Sequence, residues 1–317
     1  MNSGGDFSGR ILVVAFEGWN DAGEAASRAV SVLLDQLELV PIAEFGSETL
    51  YDYQLVRPHV GRDAEGQRQI EWPVTKMYAP LVPAERVDDQ APEEKLISET
   101  GLRVTGGNER NIYLLLGPEP TRNWQSFSHE VIELAQAANI RGVVLLGALL
   151  ADVPHSRSVP IFASSENSRI RNVFDLERSS YEGPVGILTV IADAAEKADL
   201  ATISLWASVP HYVHHIPSPK AALALIDKLE EIIDVSIPRG DLMDEAAEWE
   251  AGIDAMAAED DDMRGYIATL ESSSDAISGP RASAESLAEE FERFLRSQSG
   301  ETSDGGPSGL DGPERPS

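Results

Sequence analysis

The chain has no cysteine among its 317 residues, so disulfides, thiolate metal sites and a cysteine nucleophile are all excluded. It has few basic residues. Against 54 Asp and Glu stand 25 Lys and Arg, giving a formal net charge of −29. A phosphate-binding surface needs clustered cations that displace counterions, and here the cations are scattered. Nucleic acid is therefore not an expected partner, nor is an anionic membrane surface. Long hydrophobic runs are missing too. The longest mostly apolar stretch, Gly142 to Ala151, is about half of the ~20 residues a spanning helix needs. The polar opening MNSGGDFSGR offers no signal-peptide core. The expectation is a soluble, cytoplasmic protein.

Several motifs of chemistry are also missing. There is no G-x-x-x-x-G-K-[ST] loop and no G-x-G-x-x-G, so neither nucleotide fingerprint is supported. There is no G-x-S-x-G elbow. His211, His214 and His215 would share a helix face in part, but Pro210 and Pro217 bracket them and predict a loop. No metal and no cofactor are expected.

What is present reads as α/β. Ile11 to Phe16 is a continuous β-rich run, as a strand buried on both faces requires. Asp21 and Glu24 have capping-box spacing, and Ala22, Ala26, Val30, Leu33 and Leu37 follow at helical period. Leu39 to Phe45 is a second strand, which makes a strand–helix–strand unit. Tyr51–Val56 and Gln69–Trp72 flank a polar stretch and predict an inserted β-hairpin. Further strands are expected at 112–116, 142–146 and 201–207. Helices are expected from Trp124, over 185–199 and from Ser218-Pro219.

Beyond residue 237 only helical patterns remain, over 241–263 and 283–297. Residues 227–317 hold 24 acidic and 7 basic groups, and Glu259–Asp262 reads as a solvated turn or a frayed end. The expected organisation is a flexible start at 1–9 and an α/β core at 10–237. An acidic helical subdomain at 238–297 and a disordered tail at 298–317 follow. A helix face such as Leu242, Ala246, Trp249 and Ile253 would serve partner or self-contacts.

Four strands run directly into loops rich in chemistry. In a parallel sheet those loops share the carboxyl edge, where open α/β sheets bind ligands. They would gather Glu17, Trp19, Asn20, Asp21, Glu119, Trp124, Asp152, His155, His211 and Tyr212 at one rim. Glu17 or Asp152 would serve as a general base with His155 or His211, and Trp19 and Trp124 would stack on a planar group. Structural readings stand beside these. Trp19 fits an apolar plug, Asn20 or Asp21 a helix cap, and Pro118-Glu-Pro120 a rigid turn. The rim loops also fit subunit contacts through Trp206 or Tyr212.

Five segments carry a family likeness. They are Phe16-Glu-Gly-Trp-Asn-Asp-Ala-Gly23, Gly117-Pro-Glu-Pro120 with Trp124, Leu146-Gly-Ala-Leu-Leu-Ala-Asp-Val-Pro-His155, Ser180-Tyr-Glu-Gly-Pro184 and Leu205-Trp-Ala-Ser-Val-Pro-His-Tyr212. In this order, over roughly residues 10–235, the chain resembles the proteasome assembly chaperone 2 family in its actinobacterial form. The resemblance implies a mostly parallel sheet of phosphorylase/hydrolase-like kind, flanked by helices, with a helical C-terminal part. It implies a homo-oligomer, a trimer being the expected number, and a non-enzymatic role with proteasome core-particle subunits. Some relatives end in a hydrophobic–tyrosine–any tripeptide, and this chain ends Arg315-Pro-Ser317. The alternative is a small-ligand binder or a hydrolase- or ligase-like enzyme that uses the rim.

Overall fold

The computed structural model describes residues 9–63, 65–81 and 111–277. Strand β1 (Arg10–Glu17) buries every side chain from Ile11 to Phe16, as its unbroken apolar run requires. It lies at the centre of a seven-stranded sheet. Parallel neighbours flank it, β6 (Ile112–Pro118) on one side and β7 (Ile140–Ala151) on the other. Beyond β7 comes β9 (Ala201–Pro210), also parallel, and then β8 (Ile161–Ser164), antiparallel, at the edge. Beyond β6 come β5 (Thr75–Pro80) and β2 (Leu39–Phe45), each antiparallel to its neighbour. The expected mostly parallel α/β architecture is therefore the one observed.

Among the described residues, two long helices cover each face. Helices α1 (Ala25–Gln36) and α5 (Pro219–Ile233) pack together over one side, where Val30, Leu33, Leu225 and Leu229 are fully buried. Helices α2 (Trp124–Ala137) and α4 (Ile187–Lys197) close the other around Phe127, Val131 and Ile191. The short α3 (Ser168–Phe174) is capped by Asn167, whose side chain accepts from Arg169 N and Ile170 N.

Three expectations need correction in detail. The strand–helix–strand unit does not place its strands side by side, because β5 and β6 lie between β1 and β2. Pro41 within β2 lacks an N–H, which suits an edge strand, and the pairing is irregular between Pro41 and Ala43. The hairpin exists, but its arms are β3 (His59–Arg62) and β4 (Arg68–Glu71). Tyr51–Val56 forms turns instead. The Tyr51 ring is buried, and its hydroxyl contacts Thr75 Oγ1 at 2.7 Å and donates to Pro118 O at 3.1 Å. Finally, β7 and β9 continue past their expected ends, paired as far as Ala151 and Pro210.

Helix α6 (Leu242–Glu259) is followed at once by α7 (Asp261–Ile277). The acidic run marks their junction, and Asp260 Oδ1 accepts from the N–H groups of Asp262 and Met263. Leu242, Ala246 and Ile253 are buried, with α6 packed on α5, so this face is not free for partners. Residues 1–8 of the expected flexible start at 1–9, the helix expected over 283–297 and the tail expected at 298–317 lie outside the described residues. Among the described residues no helix is long and apolar enough to cross a membrane.

Candidate functional site

After β1 the chain turns at Gly18, whose φ of 109° belongs to glycine. Trp19 stands 54% exposed at the tip. The next two residues fold back over β7. Asn20 O accepts from Ala148 N at 2.8 Å, and Asp21 bridges to Ala148. The Asp21 carboxylate caps α1, with Oδ1 accepting from Ala26 N at 2.7 Å and Ser27 N at 3.1 Å. The expected Asp21–Glu24 capping box does not form. Glu24 sits in the left-handed region (φ 52°) immediately before α1, and Asp21 reaches past it. Burial, opposed only in part by these bonds, pushes the Asp21 carboxyl up from 3.8 to about 6.

Glu119 plays the same part for α4. Its Oε1 accepts from Ile187 N at 2.8 Å and from Asn20 Nδ2 at 3.3 Å, and burial raises its carboxyl. Glu17 ends β1, exposed, and its carbonyl accepts from Glu119 N. Trp124 opens α2, donates its indole N–H to Pro120 O and packs on the core beside that helix.

The remaining candidates form a second group. The last β1–β7 pair is Val14 with Leu145, whereas β7 and β9 run on together to Ala151. From Ala148 to Ala151 the strand advances roughly 10 Å. At its end His155 is buried (2% exposed). The Tyr212 hydroxyl accepts from His155 N at 2.7 Å and lies 2.8 Å from its Nδ1. Burial pushes the Tyr212 phenol up to about 12, so it keeps its proton and can donate it to Nδ1. Nε2 then carries the ring hydrogen and donates to Asp254 Oδ1, 3.0 Å away on α6. Asp152 Oδ1 accepts from the Tyr266 hydroxyl of α7 at 3.2 Å. His211 Nδ1 lies 3.0 Å from the same oxygen without hydrogen-bond alignment. His155 through Asp254 and Asp152 through Tyr266 fasten α6 and α7 to this end of the sheet. The single rim is thus two groups, one around Trp19, Asn20, Asp21 and Glu119 and one around His155.

A cavity of about 440 Å³ opens beside the first group, between the 18–23 loop, the end of β7, the 179–186 segment and the start of α4. Of the expected site residues, Trp19, Asn20 and Asp21 line it. Trp206 forms one wall. It is the register partner of Gly147, and a Cβ there would stand 2.6 Å from the indole ring. Gly186 is likewise required, because a Cβ would collide with the Asn20 amide. Tyr181, Ser204 and His214 also line the cavity. Sequence reasoning missed Tyr181, Ser204, Asp254 and Tyr266 as site-forming residues. The acidic helix that carries Asp254 reads like any solvated face. The one usable signal was the glycine at 147 within a strand, which marks a close approach.

The model of the PAC2 family matches residues 15–257. A PAC2 family protein from Streptomyces avermitilis is 38% identical, with a TM-score of 0.67, over 81% of this chain and 99% of its own. A Mycobacterium tuberculosis proteasome-assembly chaperone homologue is 36% identical, with a TM-score of 0.66 and the same coverage. A Mycobacterium tuberculosis protein of unknown function is 27% identical, with a TM-score of 0.73, over 91% of this chain and 90% of its own. No curated protein matches the chain.

Proposed function

This chain belongs to the PAC2 family, and on that premise we propose that it acts by binding other proteins, as an assembly factor in proteasome biogenesis. One observation carries the reading: the similarity to the mycobacterial proteasome-assembly chaperone homologue, which extends along that protein's whole length. The surface of the hairpin supports it. Val60 and Ile70 are direct cross-strand partners and both are exposed, as are Leu55 and Trp72 nearby. Exposed apolar clusters of this kind are characteristic of protein contacts. The reading includes self-association, with three copies as the expected number.

The test is capture of core-particle α and β subunits from the same organism by the full-length tagged chain, followed by native mass spectrometry. Complexes containing α subunits are the expected result. No association with isolated α subunits or with assembly intermediates defeats the proposal.

A further inference from the structure

We propose that the cavity beside Trp19 binds a small planar heteroaromatic molecule with several hydrogen-bonding groups and no phosphate, of about nucleoside size. Its volume of about 440 Å³ lies near the lower end of the range for small-molecule sites, roughly 300–1,000 Å³. It therefore suits one ring system with a modest substituent. Its place suits a ligand as well. The cavity lies at the carboxyl ends of β1 and β7, the edge at which open α/β sheets bind ligands.

The ring is called for by Trp19. Its indole is more than half exposed, while the backbone on either side is held in place. Gly18 makes the turn, and Asn20 is buried and bonded to both Ala148 and Glu119. An aromatic face held open at the mouth of a cavity is a stacking platform for a planar group. Tyr181 and Trp206 add aromatic wall, and Ser164, Thr189 and Ser204 add hydroxyls that can donate or accept.

The absence of phosphate follows from charge. Among the described residues that line the cavity there is neither Lys nor Arg, whereas Asp21 and Glu166 are there. The two helices that begin beside the cavity, α1 and α4, would each offer a positive end to a phosphate. Both are already occupied, α1 by the Asp21 carboxylate and α4 by that of Glu119. A phosphorylated ligand would meet carboxylates where it needs donors. A ring N–H or a sugar hydroxyl can instead donate to Asp21.

Calorimetric titration of the full-length chain with adenosine, guanosine, cytidine and uridine, each beside its 5′-monophosphate, tests this. The expected result is saturable binding of at least one nucleoside, with its monophosphate at least tenfold weaker. Trp19→Ala should weaken that nucleoside at least tenfold and Trp19→Phe should restore most of the affinity, with unchanged thermal unfolding in both. The proposal is overturned if no nucleoside binds at millimolar concentration or if the monophosphate binds as well. It is equally overturned if Trp19→Ala binds like the parent.

Discussion

Asp21 accepts two backbone N–H groups through one oxygen, in a setting that strips most of the water from its carboxyl. Desolvation outweighs the cap, so the folded chain holds this proton more tightly than the unfolded chain does, up to about 6 against 3.8. The linkage sign follows directly. The stabilisation from the bound proton is complete below 3.8 and is lost as pH rises through about 6. Its size is on the order of 3 kcal/mol at most. Asp21→Asn keeps an oxygen that can accept from Ala26 and Ser27 but cannot ionise. Its melting temperature should therefore gain on that of the parent between pH 4 and pH 7. A difference that stays constant over that range would show that Asp21 does not titrate as described. The cap itself was legible in the sequence as a residue type, but its partner was not. The expected reciprocal bond from Glu24 is lost because Glu24 takes a left-handed backbone, which breaks the helix into a short turn and α1.

Helices α6 and α7 are acidic, and they meet the few cations of the core. Arg28 donates from one guanidinium nitrogen to both carboxylate oxygens of Glu245, Lys220 pairs with Glu250 at 2.5 Å, and Arg157 pairs with Glu271 and Asp275. The first two pairs are partly exposed, and such pairs are worth about 0–1 kcal/mol each. The apolar contacts matter more, because Leu242, Ile253, Ile267 and Leu270 are all buried. Ile253→Ala should cost about 2–5 kcal/mol, while Arg28→Ala should cost less than about 1 kcal/mol. Denaturant unfolding at low and high salt separates the two. A larger loss in Arg28→Ala, shrinking with salt, would mean that charge holds the helices. The helical period of α6 was readable from the sequence. That its apolar face meets α5 was not, since an apolar stripe does not say what will cover it.

Over the whole molecule, light scattering should give a mass of about three times 34.3 kDa for the assembly proposed above. A monomer at all concentrations would remove self-association from the proposed function. The sequence by itself determined the α/β class, the succession of β1, α1 and β2 along the chain and the identity of the loops at the carboxyl edge. Those follow from local periodicity and from turn and cap chemistry, which act over a few residues. Pro41 even carried a sign that β2 belongs at an edge, where a missing N–H costs nothing. The tertiary structure alone decided strand order, the length of β7 and β9, and the division of one expected rim into two groups. Asn20 meets Glu119 and His155 meets Asp254, each pair 99 positions apart in the chain. Such pairings depend on how far one strand outruns its neighbour, a quantity set by packing between distant segments and absent from any local pattern.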